Sequence, residues 1–171
     1  MRSTLFNPSP AMGRRGFLTT LLASAAALAA LPQDLFAQTG AQIGHMTADK
    51  AFAAASTGEI ILIDIRRPEE WLQTGVAEGA IGLDMTTETF VQALVSLRQA
   101  NPNTPLALIC RTGNRTGHVT RALADQGFPG LVDVSEGMVG GPRGKGWLTR
   151  GLPTYEGSLE NVRSRTAAAL P

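Results

Sequence analysis

From about residue 42 onward the chain alternates between continuously apolar runs and amphipathic stretches. Glu59-Ile60-Ile61-Leu62-Ile63-Asp64-Ile65 is β-branched and too apolar to leave one face in water, so it predicts a central parallel strand covered on both sides. Pro105-Leu106-Ala107-Leu108-Ile109-Cys110 predicts a second such strand and Gly130-Leu131-Val132-Asp133-Val134 a third. Shorter stretches near Ile43 and from Ala80 to Leu83 predict two edge strands. Between these lie helical segments over Thr47 to Ala55, Pro68 to Gln73, Thr87 to Gln99 and Thr116 to Gln126. In the third, Phe90, Val91, Leu94, Val95 and Leu97 recur near the 3.6-residue period, with Thr86 or Thr87 as N-cap. The fourth buries Val119, Ala122 and Leu123 and ends at Gly127, a suitable residue just past a helix end. Strands alternating with helices imply right-handed crossovers, and hence an α/β fold with a doubly wound parallel sheet and helices on both faces. Ligands in such folds bind beyond the carboxyl ends of the strands. Cys110 ends one of them.

The N-terminus has a different pattern. Arg14-Arg15-Gly16-Phe17-Leu18 leads into an Ala- and Leu-rich run up to Leu31, then Leu35-Phe36-Ala37 before Gln38. A basic region, a short apolar segment and a small residue at the cleavage point predict a signal peptide over residues 1–37. The paired arginines followed by Phe and Leu resemble the twin-arginine (Tat) export signal of bacteria. The expected product is periplasmic, with no stable membrane association after cleavage. The alternative, an uncleaved anchor, is disfavoured because Phe17 to Leu31 is short of the roughly 20 apolar residues a span needs and contains Thr19, Thr20 and Ser24. The remainder divides into one domain over 42–157 and a C-terminal tail over 158–171.

Charge narrows the partners. Removing the first 37 residues, with Arg2, Arg14, Arg15 and Asp34, takes the net charge from +1 to about −1. The remaining Arg and Lys are scattered and not interleaved with aromatics, which excludes a nucleic-acid surface. The single cysteine has only His45 and His118 as companions, so no metal-site spacing exists and none is expected.

The surroundings of that cysteine carry the chemistry. Cys110-Arg111-Thr112-Gly113-Asn114-Arg115 stands between a buried strand and a helix start. With Gly113 permitting unusual backbone angles, such a loop can turn its amides inward around one point. The helix N-terminus adds its positive end and the two arginines add full charges. All of these favour an anion, and a thiolate is one. Without them, a lone cysteine at a strand end reads as a buried inert side chain.

Four stretches in order resemble the rhodanese family, over about Ile43 to Pro153. Leu62 through Trp71 is similar to "D-x-R-x-x-x-E-[FWY]", and Gly75 through Gly79-Ala80-Ile81 to "G-H-I-P-G-A". The Cys110 to Arg115 loop follows, and Glu136-Gly137-Met138, Trp147 and Gly151-Leu152-Pro153 are similar to "G-G-M-x-x-W-x-x-x-G-L-P". The resemblance implies five parallel strands and a six-residue active loop in which Cys110 carries sulfur as a persulfide. The amides of Arg111, Thr112, Gly113, Asn114 and Arg115 would form the cradle, and the side chains of Arg111 and Arg115 would orient a thiosulfate-like donor. Asp64 and Arg66 match a family pair expected to brace the loop.

Two departures stand out: the usual His of the second stretch is absent, and Val139 to Gly146 intervene where the family has two residues. That Gly-rich insertion reads as a tolerated surface loop, or else as a flexible lid offering Arg143 and Lys145. His118 reads as structural, and Trp71 and Trp147 as packing.

The function implied is a sulfurtransferase moving sulfane sulfur from thiosulfate or a related anion to a thiol or protein acceptor, with no cofactor. A persulfide carrier serving a periplasmic protein partner is the alternative. A cysteine phosphatase or arsenate reductase is disfavoured, since those families place five residues between Cys and Arg and this chain has four.

Overall fold

The computed structural model of the protein describes residues 42–170; the export signal expected over residues 1–37 lies outside the described residues. Five strands form one sheet: β1 (Gly44–Met46), β2 (Ile61–Asp64), β4 (Ala80–Gly82), β5 (Leu106–Ile109) and β6 (Leu131–Val134). Their spatial order is β1-β6-β5-β2-β4, with every pairing parallel. The three runs read as central strands are the three interior ones, and the two short stretches are the edges. Parallel strands need crossovers, and the helices α1 (Ala48–Ser56), α2 (Pro68–Thr74), α3 (Phe90–Ala100) and α4 (Asn114–Asp125) provide them.

The strands divide their side chains between two cores. Leu62, Ala107, Ile109, Val132 and Val134 face α1, Trp71 and Trp147. Ile63, Leu106, Leu108, Cys110 and Leu131 face the other way, against Phe90, Leu94 and Leu97 of α3 and Leu123 of α4. Trp71 and Trp147 pack as expected, the latter edge-on to Phe52 with ring centroids 5.7 Å apart.

Two features were not expected. Strands β3 (Val76–Ala77) and β7 (Thr154–Tyr155) pair antiparallel in a small second sheet. The segment read as a C-terminal tail carries α5 (Leu159–Ala169), which buries Val162. The hydroxyl of Thr166 both accepts from the Gly82 amide (3.3 Å) and donates to the Gly82 carbonyl (3.1 Å), tying α5 to the edge strand β4.

Candidate active site

The site is built where β5 gives way to α4. Gly113 is the N-cap of α4 at φ 83°, a left-handed conformation that costs glycine little. A side chain there would also collide with the backbone carbonyl of Ser135, so glycine is required twice over. Helix α4 therefore starts at Asn114, two residues earlier than its periodicity predicts, because the turn of the loop is itself its first cap.

The loop is held from outside by its carbonyls. Cys110 O accepts from the Met138 amide (2.8 Å) and Arg111 O from the Val139 amide (2.9 Å). Gly113 O accepts from the Thr116 hydroxyl (3.0 Å), the Gly117 amide (3.1 Å) and Arg143 Nη1 (3.1 Å). In a planar trans peptide the N–H points opposite to the C=O. The amides of Arg111, Thr112 and Asn114 are therefore turned away from these partners. Among the described residues, no acceptor is bonded by any amide from Arg111 to Thr116. Consecutive unpaired amides at the start of a helix form an anion-binding concavity.

Cys110 has 0% of its surface exposed. Its sulfur lies 3.7 Å from the hydroxyl of Thr116, also buried. That hydroxyl has one proton, which it gives to Gly113 O when the sulfur is a thiol and can redirect to the sulfur when it is an anion.

The arginines have different tasks. Both terminal nitrogens of Arg115 are taken by Glu70, at 2.7 Å and 2.6 Å, in a bidentate pair. Those bonds hold the Glu70 carboxyl below the usual glutamate range and push Arg115 still higher than an ordinary arginine. Glu70 also accepts from the Arg67 amide at the start of α2 (3.2 Å). Arg115 therefore clamps the loop exit to α2, with its guanidinium turned to Glu70. Arg111 is exposed, and its side chain bonds no group among the described residues.

Asp64 and Arg66 lie buried below. Arg66 Nε donates to Asp64 Oδ1 (2.9 Å) and Nη2 to Oδ2 (2.6 Å). The rest of the guanidinium reaches Thr74 Oγ1 (2.7 Å), Gly75 O (2.7 Å) and Glu70 O (3.3 Å). The pair thus fixes α2, and α2 carries the glutamate that clamps Arg115. Its link to the loop is indirect.

The insertion is neither a bare surface loop nor an open lid. Gly141 and Gly144 exchange backbone hydrogen bonds at 2.9 Å and 3.1 Å in a tight hairpin with Pro142 and Arg143 at its tip. Arg143 Nη1 reaches back to Gly113 O and, at 3.4 Å, to Asp133 Oδ2. His118 is exposed and lines a cavity beside the loop, with no bond to Cys110. Three residues given no role in the loop from sequence, Glu70, Thr116 and Arg143, are thus the ones that hold it.

A parallel α/β domain with a cysteine at the end of an interior strand, followed by a turn of unpaired amides, belongs to the class of α/β proteins that carry a thiol on a strand-to-helix loop. The model of the family described as "Rhodanese-like domain" matches residues 47–141, and this chain belongs to that family. An uncharacterized protein of Rickettsia prowazekii is 28% identical over 98 residues, covering 54% of this chain and 80% of that protein. Among solved structures, the polysulfide-sulfur transferase homodimer of Wolinella succinogenes superposes with a TM-score of 0.50 at 24% identity, over 66% of this chain and 78% of that one. Rv0390 of M. tuberculosis is similar over 66% of this chain and 97% of its own, with a TM-score of 0.47 and 23% identity. The fold is that of a rhodanese-like domain.

Proposed function

We propose that the protein is a sulfurtransferase that loads a sulfane sulfur onto Cys110 from thiosulfate or a related donor and passes it to a thiol acceptor. The observation that carries this reading is the outward anchoring of the loop carbonyls, which leaves the amides of Arg111 through Thr116 without acceptors in the turn that directly follows the buried Cys110. The Cys110 thiolate attacks the outer sulfur of thiosulfate, the S–S bond of the donor breaks, and sulfite leaves with the bonding pair. The acceptor thiolate then takes the outer sulfur and Cys110 returns as thiolate, so the two half-reactions give ping-pong kinetics. Full burial protects the persulfide from water and stray thiols. It also means that loading requires the rim of the loop, where Arg111 and Asn114 are exposed, to move aside. Arg111 is the unpaired cation that receives the incoming anion.

Phosphate-ester or arsenate chemistry is supported less well. It needs the arginine at the loop exit free to clamp a tetrahedral oxyanion, and that residue, Arg115, is paired with Glu70.

The test is intact-mass measurement after incubation with thiosulfate, mercaptopyruvate or polysulfide. The expected result is a gain of one sulfur, lost again on adding a thiol. No adduct from any of the three donors rejects the proposal.

The paired Arg14-Arg15 and the apolar run after them support export to the periplasm before function. N-terminal sequencing of protein from the periplasmic fraction is expected to start near Gln38. Recovery only from the cytoplasm, with residue 1 retained, counts against export.

A further inference from the structure

The cavity beside the loop is larger than a small inorganic anion needs, and its chemistry differs from that of the amide turn. It is a groove open to solvent, of about 590 Å³. Met85, Val119 and Ala122 give it an apolar floor, while Arg115, His118 and Arg143 stand at its polar edges. A second hollow, of about 370 Å³, contains Arg111 and shares Met85 and Arg115 with the first. Both lie along the exposed rim of the loop at Asn114 and Arg111, so a molecule held there is placed to reach Cys110 once that rim moves aside.

The cation of this cavity is not part of the shared domain. Arg143 lies beyond the 47–141 family match, on the hairpin that the insertion adds. Its side chain is 43% exposed. Nη1 is occupied by Gly113 O and Asp133, whereas Nε and Nη2 have no partner among the described residues. Arg115, by contrast, spends its charge on Glu70.

The guanidinium of Arg143 lies close against α4. Gly117 sits inside α4, where glycine costs roughly 1 kcal/mol relative to alanine. A Cβ at that position would stand 2.9 Å from Arg143 Nη1. The glycine thus lets the tip of Arg143 lie directly against the helix, an approach a larger residue would push back.

We infer that this cavity holds the organic body of the sulfur acceptor, and that the acceptor is an amphipathic thiol carrying a carboxylate that Arg143 receives. The inference rests on the sulfur-transfer reading and names the second substrate of the same site. The acceptor thiolate attacks the outer sulfur of the Cys110 persulfide. The S–S bond to Cys110 breaks, its electron pair remains on Cys110 as thiolate, and the acceptor departs as a persulfide, so no oxidant or reductant is consumed. An inorganic acceptor would leave Met85, Val119 and Ala122 unused.

The experiment compares 6-mercaptohexanoate with 6-mercaptohexanol, which differ only in the charged end, as acceptors in single-turnover discharge of persulfide-loaded protein. The carboxylate is expected to react about tenfold faster, the value of one charge-assisted hydrogen bond. That preference should fall to near unity in Arg143→Ala and survive in Arg143→Lys. Equal rates in the native chain, or a preference that persists in Arg143→Ala, overturn the inference. If the protein never loads sulfur, the sulfur-transfer reading fails on its own, and the cavity is read separately. Octanoate is then titrated into 15N-labelled Cys110→Ser protein. Shifts centred on Asn114, His118 and Val119 support an amphipathic anion site, and shifts elsewhere or none refute it.

Discussion

Cys110→Ser is expected to lose sulfur loading and sulfite release by several orders of magnitude while keeping its fold. A serine hydroxyl needs a base to become a nucleophile, and no base touches this position: the only side-chain partner of the Cys110 sulfur among the described residues is the Thr116 hydroxyl. The thiol needs none, because sulfur is intrinsically the far stronger nucleophile of the two. The fold should survive because Ser is smaller than Cys and can still bond Thr116 inside the buried site. A companion variant separates the sulfur from its neighbour. Thr116→Val keeps the shape of the side chain and removes its proton, so alkylation by iodoacetamide and sulfur loading should both slow, with Thr116→Ser restoring much of the loss. Sulfite release from thiosulfate by Cys110→Ser at the native rate would mean that another group carries the sulfur.

What was legible in the sequence was what is local in the chain. Ile61 to Asp64, Leu106 to Ile109 and Leu131 to Val134 announce themselves because a strand buried on both faces must be continuously apolar. The Cys110 to Arg115 loop is equally local, so its geometry could be anticipated from six residues. Helix α5 was hidden because its buried stripe is thin: Val162 alone is fully covered, among charges and alanines. Strands β3 and β7 were hidden because two residues carry no period, and they exist only through pairing across the chain.

The clamps on the loop were out of reach for a related reason. Glu70 and Arg115 lie 45 residues apart, and Arg143 and Gly113 lie 30 apart. Nothing in either neighbourhood names its partner. Glu70 did leave one trace: it stands at the third position of α2, where an acidic side chain caps the helix start. Capping alone accounts for an acidic residue there, so its second bond, to Arg115, has no signature in the sequence. The insertion misled in the opposite way. Glycine-rich composition suggests looseness, whereas the Gly141–Gly144 hairpin uses that freedom to deliver one side chain to the loop.

Arg66→Met is expected to cost about 3–5 kcal/mol of stability, the range for removing one member of a buried ion pair. Both partners are almost wholly covered, so Asp64 would be left with an uncompensated charge in the interior. The loss is compounded by three acceptors that Arg66 also satisfies, namely Thr74 Oγ1, Gly75 O and Glu70 O. Adding Asp64→Leu should recover part of the stability by removing the stranded carboxylate. Recovery should stay incomplete, because Gly75 O then keeps only the longer bond from the Thr74 hydroxyl (3.2 Å). Urea denaturation of the two single variants and the double variant measures these terms as a cycle. A loss below about 1 kcal/mol for Arg66→Met would contradict the picture of a buried brace. The same proteins decide what the pair does for the chemistry. If it acts only by holding α2, and through Glu70 the position of Arg115, the folded fraction of Arg66→Met should still form the Cys110 persulfide, more slowly in proportion to how far the clamp has loosened. Complete absence of the persulfide in folded Arg66→Met protein, with Glu70→Gln still loading, would place Arg66 in direct contact with the reacting sulfur and overturn the scaffold role.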